Sequence, residues 1–335
     1  MPCALILGGS GQIGRALAAR LLDDGWDVVA AHRGQKPMPA DLAARGVQEV
    51  KFDRTEEGAL AQALGQGVDA LIDTIAFTAA DAEQLLAVER HVGALVVVSS
   101  GAVYCDAQGR TLGQVRLTGW PEYAAPIDEA HTRVPPGPKD YATNKVALEN
   151  ALLDRARRPL TILRPGAIHG PGSPNPREWF FIKRALDRRA HVPVKWGGAH
   201  ALAPSFTGNI AALIAVALAK PGLRVLNITD PDALDIMGIG QAIAGAVGHK
   251  FTFTPLGETQ NMLGHTPWTM KTALPIDMSA AAALGYKPVA AYGEAVATYW
   301  RAMADELANR NGQEVLHWPN DPFDYAAEDA ALANT

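Results

Sequence analysis

Residues 4–34 read ALILGGSGQIGRALAARLLDDGWDVVAAHRG. An apolar, strand-like run (3–7) runs into a cluster of glycines. A segment follows in which Ile13, Ala16, Leu17 and Leu21 recur at the spacing of one helix face. A second strand-like run occupies 27–31. The glycines fit two related spacings, Gly9-x-Gly11-x-x-Gly14 and Gly8-x-x-Gly11-x-x-Gly14. Glycine permits the tight turn and lets the backbone approach a pyrophosphate closely. A helix beginning at Gln12 aims free N–H groups and the positive end of its dipole at the same phosphates. Lying between strand and helix, the pattern predicts a dinucleotide site.

Outward from this segment the alternation continues. Strand-like runs occupy 47–52, 70–75, 94–99, 160–164 and 224–228; helical patterns occupy 12–23, 59–64, 80–90, 139–156 and 209–219. Continuous apolar strands separated by helices imply a doubly wound parallel sheet covered on both faces, with ligands at the carboxyl ends of its strands. Residues 108–138 break into Gly, Pro and scattered polar residues, and 171–176 mark an exit from the sheet. Helices are expected near 178–188 and over 236–247. The last ten residues are expected to fray. The expected organisation is an α/β Rossmann domain, 1–170 with 204–230 returning to it. A smaller α/β substrate lobe takes 171–203 and 231–335.

The 335 residues suffice for a large domain with a lobe. A net charge of -5, with both signs mixed along the chain, offers no footprint for nucleic acid or a membrane surface. Cys3 and Cys105, the two cysteines, form no CxxC pair, which predicts reduced thiols and a cytoplasmic protein. No signal peptide is expected, and the longest apolar stretch, 210–219, is too short to span a bilayer.

Many NAD sites place an acid near the end of the second strand, on the ribose 2′-hydroxyl. Here Asp27 stands at the strand's start, and Arg33 occupies the acid's place. A guanidinium suits a 2′-phosphate, with paired donors and a fixed charge. The expected cofactor is therefore NADP(H), with NAD(H) the alternative.

Downstream, one strand ends in Ser99-Ser100-Gly101-Ala102-Val103-Tyr104, and a later helix carries Tyr141-Ala142-Thr143-Asn144-Lys145. Tyr141 and Lys145, four apart, share a helix face. The ammonium is expected to lower a phenol pKa that is ordinarily ~10. Such a phenol can give or take a proton at a carbinol oxygen, and a serine at a strand end can hold that oxygen.

The glycine turn, SSGAVY, YATNK and LRPGAIHGPG follow one another in an order that resembles the extended short-chain dehydrogenase/reductases, the NAD-dependent epimerase/dehydratase group. The resemblance covers about residues 1–250 and is strongest up to Gly172. It implies that Ser100, Tyr141 and Lys145 are catalytic, Tyr141 as the acid/base. Gly8, Gly11, Gln12, Ile13 and Gly14 would then surround the pyrophosphate, and Lys145 would also hold the nicotinamide ribose. Asp53 would contact adenine, Ala76 would lie beneath the cofactor, and Arg33 would meet the 2′-phosphate. It also implies a homodimer through 80–90 and 139–156.

Departures from the family pattern narrow the chemistry. Sugar 4,6-dehydratases carry an Asp-Glu pair where Gly101 and Ala102 stand, and 3,5-epimerases a cysteine at Ala102. Cys105 follows Tyr104 where glycine is usual, Ala167 replaces the Asn of RPxN, and Asn209 stands at an Asp-like position. What remains is a Ser-Tyr-Lys site without an extra acid or base and without a metal constellation. The expected activity is carbonyl reduction on a small molecule, or the reverse oxidation. An NAD-dependent nucleotide-sugar epimerase and a non-catalytic cofactor-binding protein, redox-sensing or RNA-associated, are the alternatives. Among the histidines, His169 is the best further acid, ahead of His131 and His200. Tyr104, Trp179, Phe180 and Trp196 are candidates for a pocket lining or for core, and Arg177 and Lys183 for an anionic substrate or a solvated face.

Overall fold

The computed structural model describes residues 1–258, 262–308 and 322–333. The chain divides into two compact units, 1–166 with 207–229 and 276–289, and 167–206 with 230–275 and 290–335.

In the first unit β1 (Cys3–Leu7), β2 (Asp27–His32), β3 (Gln48–Lys51), β4 (Val68–Asp73), β5 (Val92–Val98) and β6 (Leu160–Pro165) alternate with α1 (Gln12–Asp23), α2 (Ala40–Ala44), α3 (Ala59–Leu64), α4 (Ala79–Val88), a single turn α5 (Val115–Thr118) and α6 (Tyr141–Arg155). The second unit opens with β7 (Ala167–His169), α7 (Trp179–Leu186), β8 (His191–Lys195), β9 (His200–Ala201) and β10 (Pro204–Phe206). The chain then returns to the first unit with α8 (Thr207–Ala219) and β11 (Leu223–Ile228).

Seven parallel strands in the order β11-β6-β5-β4-β1-β2-β3 make the sheet. The order reverses between β1 and β4, so the crevice at their carboxyl ends is the place where such folds bind ligands. The central strands β1, β4 and β5 are largely apolar because helices cover both faces: Leu5, Leu7, Leu71, Leu95 and Val97 pack with Leu148 and Leu152 of α6 in one core. Ile13, Leu17 and Leu21 are the buried stripe of α1.

Residues 276–289, which the sequence pattern puts with the lobe, belong to the sheet unit instead. Asp277 N donates to Ile127 O at 3.0 Å, and Val289 N to Oδ1 of the buried Asn209 at 2.8 Å. α10 (Ser279–Ala283) lies in this segment. The first half of the irregular stretch 108–138 is gathered by a buried carboxylate. Asp106 accepts from the amides of Gln108, Arg110 and Glu122 and from Arg110 Nε.

The second unit adds α9 (Ile236–Ala246), β12 (Thr252–Leu256), β13 (Thr269–Met270), α11 (Tyr292–Ala308) and α12 (Tyr325–Leu332). β8 pairs parallel with β12, and β9 antiparallel with β13. Phe181, Val192, Ile239, Phe251, Trp268 and Tyr292 centre its core. Here the expected fraying of the last ten residues is corrected over the described part. Asp324 caps α12 through the Ala327 amide at 3.1 Å. Glu328 and Asp329 then pair with Arg184 and Arg189. These partners lie some 140 residues away in sequence, beyond what a terminal segment reveals on its own. Among the described residues no helix is long and apolar enough to cross a membrane.

Candidate active site

The site is built on the carboxyl ends of the first unit's strands. After β1 the chain turns at Gly8, whose φ of +79° suits glycine, and Gly8 N and Gly9 N both donate to Ala31 O of β2. A Cβ on Gly8 would stand 2.5 Å from Thr74 Oγ1, and one on Gly14 2.5 Å from the carbonyls of Gly8 and Gly9. The turn and α1 are thus packed backbone on backbone. Gly11 is the N-cap of α1 and supplies no side-chain cap, and Gln12 Oε1 nearby is buried without a hydrogen-bond partner. Arg15 Nε donates to Ser10 O at 2.7 Å and braces the turn from behind. An uncapped helix start, a cradle that side chains would fill and an orphaned polar atom fit a dinucleotide pyrophosphate. Ile13 and Gly14 are buried, so only their backbone can serve a ligand.

Arg33 follows the end of β2 and is exposed. Asp53 lies two residues beyond β3 and accepts from Thr55 N at 3.0 Å and Thr55 Oγ1 at 2.8 Å. Those two bonds, and behind them the charges of Arg33 and Lys51, hold its carboxyl below the usual range. Arg33 is thus near enough for its charge to act on Asp53.

At the other end, α6 begins at Tyr141 because Asp140 and Thr143 form a capping box, each side chain accepting from the other's amide, at 3.0 and 2.9 Å. Tyr141 thus occupies the first turn and is half exposed. Its ring lies 5.6 Å from that of Phe77, itself partly exposed beside Ile75. Ser100 follows β5 with extended backbone; its hydroxyl accepts from Ala102 N at 3.1 Å and lies close enough to the Tyr141 phenol to favour its ionised form. Lys145, one turn on, is buried and donates to the carbonyls of Ala76 at 2.6 Å and Val98 at 3.1 Å. Ala76 is buried as well, its amide fixed by Asp73 Oδ1 at 2.8 Å.

Ser100, Tyr141 and Lys145 are therefore brought together, but the expected electrostatic coupling is corrected. Burial pushes the Tyr141 phenol up, and the nearby Ser100 hydroxyl pulls it partly back. The Lys145 ammonium is spent on two carbonyls and stands 5.8 Å from the ring centroid. Burial also brings Lys145 down to about 8, against the pull of Asp73, Glu149 and Asp81, with Arg54 adding to the fall.

Other candidates lie elsewhere. Tyr104 is core: its hydroxyl donates to Asn227 Oδ1 at 2.6 Å and accepts from Arg164 Nη1 at 2.9 Å. Cys105 is a buried free thiol and Phe180 is buried. His169, expected at a cleft, is closed inside the second unit. Asp230 lies at 2.6 Å from Nε2 and Tyr299 Oη at 2.9 Å from Nδ1. His131 bonds Cys105 O at 3.2 Å, and Lys183 is taken by Asp187 at 2.6 Å. The guanidinium of Arg177 lies over the Trp268 ring. Sequence reasoning missed Asp73, Phe77 and Arg54, which pairs with Asp73 and Asp81. It also missed Glu149, whose signal was available as a third residue at four-residue spacing after Tyr141 and Lys145.

A family model described as "NAD dependent epimerase/dehydratase family" matches residues 4–228. No curated protein sequence matches the chain. Among solved structures, a dTDP-glucose 4,6-dehydratase from Bacillus anthracis in complex with NAD is similar at 16% identity and a TM-score of 0.67, over 91% of this chain and 98% of that one. A Thermus thermophilus UDP-glucose 4-epimerase in complex with NAD is similar at 18% identity and 0.66, over 89% and 99%. A Bacillus cereus UDP-glucuronic acid 4-epimerase, in complex with UDP-glucuronic acid and NAD, is similar at 19% and 0.63, over 90% and 99%. At these identities the likeness shows the fold.

Proposed function

The chain belongs to the NAD dependent epimerase/dehydratase family, a family of nicotinamide-dependent enzymes, and on that premise we propose that it is an NADP(H)-dependent oxidoreductase. Its substrate is a small molecule bearing a carbonyl or alcohol, and Tyr141 is its acid/base. The observation that carries the reading is the half-exposed Tyr141 with the Ser100 hydroxyl at its phenol, in the absence of an acid at Gly101 or Ala102. When bound, the nicotinamide supplies or takes the hydride. Tyr141 gives or takes the proton at the substrate oxygen, and Ser100 hydrogen-bonds that oxygen. A phenol held above its ordinary pKa stays protonated at neutral pH, the state that reduction needs. Lys145 fixes the Ala76 and Val98 carbonyls and would hold the nicotinamide ribose. The backbone of the turn from Gly8 to Gly14, with Gln12, receives the pyrophosphate.

Arg33 supports a 2′-phosphate, because it is exposed at the end of β2 where an acid would select NAD. The likeness to NAD-bound sugar-nucleotide epimerases favours a second reading, an NAD-dependent nucleotide-sugar epimerase. A homodimer through the packed pair α4 and α6 goes with either enzyme reading.

Parallel fluorescence titrations with NADPH and NADH separate the two. On our reading NADPH binds at least tenfold more tightly, ~1.4 kcal/mol, and Arg33→Ala removes that preference while leaving NADH binding alone. NADH binding as tightly as NADPH would move the epimerase reading to the front.

A further inference from the structure

Tyr141 and Lys145 lie on successive turns of α6, and the next turn of the same face carries Glu149, whose carboxylate is fully buried. Resting on the oxidoreductase reading of this site, we propose that Glu149 is a positioning residue for it. Its carboxylate ties the backbone that delivers Ser100 to the helix that carries Tyr141 and Lys145.

A carboxylate persists away from water only when its lone pairs are met. Oε1 of Glu149 accepts from Ser99 Oγ at 2.5 Å and Arg164 Nε at 3.0 Å, and Oε2 from Arg164 Nη2 at 2.7 Å and Arg133 Nη1 at 2.8 Å. Arg164 lies on β6, next to β5, and its Nη1 also donates to the Tyr104 hydroxyl and the Glu129 carbonyl, each at 2.9 Å. One carboxylate thus clamps α6 to the ends of two neighbouring strands and to the loop that bears Arg133.

Ser99 and Ser100 are consecutive just beyond β5, with Ser100 in extended backbone, so whatever anchors Ser99 also anchors the backbone of Ser100. Holding Ser99 Oγ on Glu149 fixes the backbone from which the Ser100 hydroxyl is presented beside the Tyr141 phenol. The charge acts on the lysine as well. Lys145 is faced by Asp73 at the end of β4, Asp81 of α4, Glu149 of its own helix and Arg54 after β3. Of these, the three carboxylates support its ammonium against burial, so neutralising Glu149 makes the ammonium easier to deprotonate.

Two variants of the full chain test this, Glu149→Gln and Ser99→Ala. The Lys145 titration is followed by NMR in protein with ¹³Cε-labelled lysine and assigned by the signal lost in Lys145→Met. We expect Glu149→Gln to lower the midpoint by at least ~0.5 pH unit and Ser99→Ala to leave it in place. We expect Ser99→Ala to fold as the parent does, to bind NADPH within about twofold of it, and to lose roughly tenfold in turnover through misdirection of Ser100. A Lys145 midpoint unmoved in Glu149→Gln overturns the proposal, and so does full turnover in Ser99→Ala. If Glu149→Gln does not fold, Ser99→Ala decides alone. If the parent reduces no carbonyl, the oxidoreductase reading fails, and the Lys145 midpoint still decides the role of Glu149.

Discussion

Each unit contains a buried polar cluster, and the two are built alike. In the first unit, Glu149 collects a serine and two arginines. In the second, His169 sits between Asp230 and the Tyr299 hydroxyl, while Tyr292 donates to Glu178 at 3.3 Å. All of these second-unit side chains are buried, and Trp268 closes on His169 and Tyr292 edge-on. The difference lies at the margin. One turn from Glu149 is Lys145, and one turn further is the half-exposed Tyr141. A polar cluster that ends in a half-exposed tyrosine can handle a proton at a substrate. One closed on every side by aromatic rings holds the fold. His169 was the most attractive extra acid in the sequence, and its surroundings assign it to the second kind.

That contrast can be broken by substitution. The largest effect is expected at the open margin. Tyr141→Phe should lower turnover by about 10²–10⁴-fold while leaving NADPH binding nearly intact. Turnover and a fluorescence titration on the same preparation check it, and unchanged turnover would remove Tyr141 from the mechanism.

Next is the closed cluster. Asp230→Ala strips His169 Nε2 and the Phe206 amide of their partner, the latter bond being 2.7 Å long. It should cost roughly 3 kcal/mol of stability, with NADPH affinity retained. Urea unfolding beside cofactor titration tests both halves. A stable variant that has lost turnover would put His169 back among the catalytic candidates.

The last effect concerns pH and is spread over several pH units. Burial depresses Lys145 from 10.5 to about 8, so between those values the unfolded chain holds a proton that the folded chain has released. Stability therefore rises with pH across that window on account of this group. The native protein should gain on Lys145→Met by up to roughly 3 kcal/mol between pH 7.5 and 10.5, at ~1.4 kcal/mol per pH unit. Paired unfolding curves at several pH values measure it. A difference that stays flat would mean that Lys145 is not depressed by its surroundings.

Legibility followed the range of the interactions. The glycine turn, α1 and the Tyr141–Lys145 pair were readable because each depends on residues within two or three turns of one another. The start of α6 at Tyr141 was readable to within two residues, since Asp140 and Thr143 cap it locally. α12 was misjudged because its anchors, Arg184 and Arg189, belong to another part of the chain. The phenol's direction was misjudged for a related reason. Spacing places Lys145 beside Tyr141, but the ammonium's partners are the carbonyls of Ala76 and Val98, which spacing along α6 does not reveal.

By itself the sequence determined the doubly wound sheet, the phosphate-cradling turn and the family, because alternating apolar runs and fixed glycine spacings are local consequences of backbone geometry. Only the tertiary structure decided which of the buried polar residues meet. Asp73, Asp81, Glu149 and Arg54 converge on Lys145 through the stacking of strands and helices, while His169 is shut inside a different core. The strength of a charge is set by what surrounds it in space, and a chain position carries no record of that.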